Sequence, residues 1–102
     1  MPAYLIVAGS INDPHKWATY RGAVLPLIQQ FGGIHLTGGG GAELLEGTKS
    51  TIAIFEFPSM SELHAFWESP EYASIKELRR GVADLNIWAV PSSPHGPDLL
   101  PP

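Results

Sequence analysis

Hydrophobic positions fall into six blocks along the chain, and their spacing changes from block to block. Ala3-Tyr4-Leu5-Ile6-Val7-Ala8 is a short run of strand formers closed by the turn-prone segment from Gly9 to Asp13, which predicts a first strand. Trp17, Tyr20, Val24, Leu27, Ile28 and Phe31 then recur at three- and four-residue intervals, the stripe of a helix with one buried face. Asp13 supplies a cap for that helix and Pro14 the preset φ of a first turn, while Pro26 is expected to kink it. Gly32-Gly33 ends it, because glycine enters the left-handed region without a Cβ penalty.

Ile34-His35-Leu36-Thr37 alternates, which predicts a second strand with His35 and Thr37 on a polar face and Ile34 and Leu36 on the other. Four glycines at 38–41 read as a flexible hairpin, with a short extension over 42–46. They lack the Lys-Ser/Thr ending of a phosphate loop. Thr51 to Phe57 reads as a third strand, stopped by Pro58. Ser59 and Glu62 form a capping box for a second helix through Leu63, Phe66 and Trp67. Ser69-Pro70 repeats the start signal for a further helical piece through Tyr72, Ile75 and Leu78, which Gly81 ends. Asn86 to Val90 supplies a last strand.

The order strand, helix, strand, strand, helix, strand predicts an α+β fold: a ferredoxin-like βαββαβ unit with a four-stranded antiparallel sheet. A single domain over residues 1–90 is expected, followed by a proline-rich C-terminal tail over 91–102. Helices of this unit cover one face of the sheet, yet the third strand is apolar in both registers, Ile52 and Ile54 opposing Ala53, Phe55 and Phe57. The uncovered face therefore predicts a homodimer, with a second sheet packed against the first.

Composition narrows the function. In 102 residues there is room for one core, which buries about two-thirds of the unfolded surface. A net charge of −4 with six Lys and Arg excludes a basic surface for nucleic acid or an anionic bilayer. The absence of cysteine excludes a disulfide, a thiolate nucleophile and a Cys-type zinc site, and it fits a reducing, cytoplasmic setting. No signal-peptide pattern is read at the start, and no apolar stretch reaches membrane-spanning length. His15, His64 and His95 share no ligand spacing, so neither metal nor cofactor is expected. Ser10 and Ser50 sit in no nucleophile elbow.

The candidates for chemistry are few. His35 exchanges a proton near neutral pH, or serves as a hydrogen-bonded interface group. Glu56, set among apolar strand residues, is either an acid–base group or half of a structural ion pair. Tyr20 lies on the apolar stripe with a hydroxyl able to orient a carbonyl or bond to backbone. Trp67, Tyr72 and Trp88 suit the walls of an aromatic pocket, or simple core packing, and Thr37 shares the polar stripe of His35.

Glu56-Phe57-Pro58-Ser59, then Ser69-Pro70-Glu71-Tyr72 and Leu78-Arg79, together resemble the DUF1330 family of the dimeric α/β barrel superfamily. Asp13-Pro14, Tyr20, Gly32-Gly33, Gly38-Gly39 and Leu45-Glu46-Gly47 add to the resemblance, which extends from Tyr4 to about Val90. It implies a ferredoxin-like protomer, sheet-to-sheet dimerisation and a pocket between sheet and helices. It also places Arg79 on the second helical crossover, where a guanidinium suits either the Glu56 carboxylate or a substrate carboxylate. The expected function is cofactor-independent binding of a small carbonyl or carboxylate metabolite, with proton transfer, isomerisation or cyclisation as the chemistry. The alternatives are a non-catalytic small-molecule binding module and a cofactor-free monooxygenase.

Overall fold

A computed structural model of the chain describes residues 1–39 and 42–92. Strand β1 (Ala3–Ile11) leads into helix α1 (Pro14–Gln30), and strands β2 (Ile34–Gly39) and β3 (Thr51–Phe57) follow. Helices α2 (Met60–Trp67) and α3 (Pro70–Lys76), a single 3-10 turn (Glu77–Arg79) and strand β4 (Ala83–Pro91) complete the chain order.

The helix starts form as the sequence predicts. The Asp13 carboxylate accepts from the Lys16 N–H at 3.1 Å, and the Ser59 hydroxyl accepts from the Glu62 N–H at 3.2 Å. Ser69 does two jobs: its Oγ accepts from the Tyr72 N–H at 3.1 Å and donates to the Phe66 carbonyl at 2.8 Å. That joint stitches α2 to α3 and sets the angle at which Tyr72 enters the core. Helix α1 continues through Pro26, whose missing N–H falls on the exposed side of the helix. At its end Gly32 takes φ +85°, and a Cβ on the buried Gly33 would meet Ile28 and the Phe57 ring.

The sheet order is β2-β3-β1-β4 with every neighbouring pair antiparallel, the ferredoxin-like arrangement the sequence predicts. Its helix-side face carries Leu5 against Phe55 and Ala89, and Val7 against Ala53 and Ile87. Leu5, Phe55 and Phe57 join Tyr20, Val24, Leu27, Ile28, Leu63, Phe66 and Tyr72 in one buried cluster. Phe66, 1% exposed, sits at its centre with ring centroids 5.6 Å from Phe57 and 4.8 Å from Tyr72.

The other face of the sheet presents Ile6 between Ile54 and Trp88, and Tyr4 between Glu56 and Val90. No helix among the described residues covers it, and Trp88 is 50% exposed there. Strands β1 and β4 run longer than the sequence predicts, because residues 83–85 pair with residues 9–11 once Gly81, at φ +72°, has reversed the chain. Pro91 closes β4 and the Ser92 N–H donates to the Pro2 carbonyl at 3.1 Å, so the sheet extends past the predicted domain edge. The predicted extension over 42–46 is irregular and exposed. Gly40, Gly41 and residues 93–102 lie outside the described residues.

Candidate functional site

A cavity of about 330 Å³ opens between the helices and the sheet. Leu5, Val7, Ala53, Phe55 and Ile87 form its floor, and Trp17, Tyr20, Val24, Ile28, Phe66, Trp67 and Tyr72 its walls. The position follows from the fold: α1 meets α3 at the Tyr20–Tyr72 pair, and the space lies between the helices and the sheet. The lining is overwhelmingly apolar, as small-molecule sites are. Arg21, His35 and Thr51 line it too and are exposed, which places them at its mouth.

One polar feature lies deep inside. The hydroxyls of Tyr20 and Tyr72 are 3.0 Å apart, and the two residues are 6% and 2% exposed. Two phenols carry two protons, and their mutual bond consumes one, so one O–H remains for a third group. Arg79 stands behind the pair, its guanidinium carbon 6.0 Å from the centre of the Tyr20 ring. Its Nε is buried and finds no hydrogen-bond partner among the described residues. Burial, and then the neighbouring Tyr72, push the Tyr20 phenol well above its ordinary range, with Arg79 only partly opposing them. Tyr20 therefore remains a neutral hydrogen-bond donor at physiological pH. Burial acts to lower Arg79, but the two phenol oxygens beside it outweigh that effect and leave its guanidinium more firmly protonated.

The structure gathers some of the predicted residues and separates others. Tyr20, His35, Trp67 and Tyr72 all line the cavity. His35 reaches it because it pairs with Phe55, whose ring lies 5.0 Å away. Thr37 does not follow: a bulge between His35 and Thr37 shifts the register, so Thr37 pairs with Ile54 on the uncovered face. Trp88 pairs with Ile6 and Glu56 with Tyr4 and Ile34 on that same face. The predicted Glu56–Arg79 ion pair is thus not formed, since the sheet stands between the two residues. Among the described residues the ion pair present is Arg80–Glu77 at 3.1 Å, exposed on the surface and of little energetic weight. Arg79 itself lines a surface groove with Lys76, Glu77 and Arg80 rather than the cavity.

Arg21, unremarked in the sequence, is the guanidinium that lines the cavity. Its signal was helical spacing, since it follows Trp17 by four positions and precedes Leu25 by four, and both line the same space. Among the described residues no group of three His, Asp or Glu side chains gathers as metal ligands would. No helix among them is long and apolar enough to cross a membrane.

With helices on one face of a four-stranded antiparallel sheet and a buried tyrosine pair between the two layers, the architecture is the ferredoxin-like fold. The profile of the domain of unknown function DUF1330 matches residues 2–93, and the chain belongs to that family. Among solved structures it is similar to a protein of unknown function from Rhodopseudomonas palustris, with 18% identity, a TM-score of 0.72, and 90% of this chain and 82% of that one covered. It is similar also to SnoaB, a cofactor-independent oxygenase from Streptomyces nogalater, at 7% identity and TM-score 0.68, covering 94% and 97%. A third is a dimeric protein of unknown function and ferredoxin-like fold from Bacteroides fragilis, at 11% identity and TM-score 0.52, covering 89% and 96%. No curated protein sequence matches the chain.

Proposed function

We propose that the cavity binds a small, largely apolar carbonyl or carboxylate compound without a cofactor and catalyses proton transfer on it. The observation that carries this reading is the Tyr20–Tyr72 hydroxyl pair, buried on an otherwise apolar wall with one proton uncommitted. A donor in such surroundings favours a ligand oxygen, and it favours most an oxygen that gains negative charge as an enolate forms. Arg79, behind the pair, stabilises that charge through the phenols and does not itself grip the substrate. Arg21 at the mouth receives an anionic group, and His35, which lines the same cavity, exchanges the proton with the reacting carbon.

Phenylpyruvate tests this directly, because its enol and keto forms absorb differently. Tautomerisation that is accelerated by the protein and lost in Tyr20→Phe and His35→Gln supports the reading. Binding without turnover would instead make the protein a carrier of such compounds. The likeness in fold to the S. nogalater oxygenase, joined to the aromatic walls, favours a second reading in which oxygen is the co-substrate. Oxygen uptake with a hydroquinone probe would distinguish it.

The uncovered sheet face belongs to the same proposal. Ile6, Ile52, Ile54, Trp88 and Val90 form an apolar surface that nothing among the described residues covers, and a second copy of the chain matches it in chemistry. The dimeric relative from B. fragilis supports this assembly. In it Thr37, Glu56 and Trp88 are interface residues rather than cavity residues.

A further inference from the structure

A second cavity, of about 240 Å³, adjoins the first and is lined by Leu5, Leu63, His64, Trp67, Ile87 and Ala89. Leu5, Trp67 and Ile87 line both spaces. Leu5 and Ile87 belong to the sheet, so the floor runs on from one chamber to the next. Trp67 is the shared residue that comes from the helices, and it is half-buried. It is held in place from its own side: the Tyr72 ring lies 5.1 Å from it and the Lys76 ammonium sits 4.8 Å over its face. A bulky ring that lines two spaces sharing one floor is placed to set a length limit on whatever occupies the first.

We infer that Trp67 is a specificity-determining partition, which confines the ligand to the Tyr20–Tyr72 chamber and excludes carbonyl compounds bearing a long apolar chain. The inference rests on the binding reading given above and adds the limit on ligand size. With the indole removed, a chain extending from the first chamber would lie over Leu5 and Ile87 and enter the space between Leu63 and Ala89. Each methylene buried there would tighten binding about fourfold, the factor that corresponds to about 0.8 kcal/mol per CH₂.

The test is a series of phenyl alkyl ketones from acetophenone to octanophenone, titrated calorimetrically against the wild type, Trp67→Ala and Trp67→Leu. The leucine variant preserves apolar packing and serves if the alanine variant does not fold. In the wild type, affinity is expected to rise with chain length and then stop rising; in the variants it continues to rise about fourfold per carbon over at least two further carbons. A merely structural tryptophan would weaken all members alike and leave the limit where it was. The same limit in all three proteins would overturn the role of Trp67 alone. Failure of every ketone to bind the wild type would overturn the reading of the chamber, and the partition with it.

Discussion

The hydroxyl pair at the base of the cavity makes a quantitative prediction. Tyr20→Phe removes one partner of a 3.0 Å bond and leaves the Tyr72 hydroxyl, on a residue 2% exposed, without it. A neutral buried hydrogen bond is worth about 1 kcal/mol net, and stranding its partner adds to that, so each single variant should lose about 1–2 kcal/mol. Removing both hydroxyls strands neither. The double variant also retains the aromatic ring beneath the Arg79 guanidinium. Its loss should therefore fall short of the sum of the singles by about 1 kcal/mol, within the range measured for side chains in contact. Urea denaturation of the four proteins at pH 7 gives the cycle, and thermal melts should show each single variant lowered by about 4–8 °C per kcal/mol lost. Additivity within about 0.3 kcal/mol would refute the shared bond and, with it, the paired donor on which the proposed function rests.

Three further outcomes are expected. The raised Tyr20 pKa means that the folded protein holds this proton when the unfolded chain, at the ordinary value of 10.0, releases it. Its contribution is complete below pH 10 and is lost as the pH rises above it, by at most about 1.4 kcal/mol per pH unit, so urea midpoints above pH 10 should fall more steeply in the wild type than in Tyr20→Phe. Arg21→Ala should weaken benzoate binding about tenfold or more while leaving acetophenone within about twofold, since only the former carries an anion for the mouth; equal losses would show that Arg21 shapes the cavity rather than receiving charge. Ile54→Lys, on the uncovered face, should leave the protomer folded by circular dichroism and shift sedimentation velocity from dimer to monomer, whereas an unchanged sedimentation coefficient would place any assembly elsewhere.

Most of the fold is readable along the chain because its signals are local. Asp13, Ser59 and Ser69 cap the helices they precede, and the strand of 51–57 lies where its β-branched and aromatic residues place it. The site is less readable because it depends on long-range register and on which helix meets which. Strict alternation puts His35 and Thr37 together, and a single bulge at the β2–β3 pairing separates them onto opposite faces. Glu56 is half-buried among apolar neighbours, as its sequence context suggests, but on the face that Arg79 does not share. Trp88 fits an aromatic pocket by composition and lies outside it by register. The Tyr20–Tyr72 bond joins residues 52 positions apart through the packing of α1 on α3. Each tyrosine is legible as a core residue; nothing local announces that their hydroxyls meet.

The central claim, a ligand chamber between the helices and the sheet, is tested most directly by acetophenone titrated into isotopically labelled protein and followed by methyl and aromatic NMR. The account predicts saturable shifts at Leu5, Val24, Phe55 and Tyr72, which surround the chamber, with Ile6, Ile54 and Trp88 on the opposite face unmoved. Shifts confined to that opposite face, or none at saturating ketone, would contradict it.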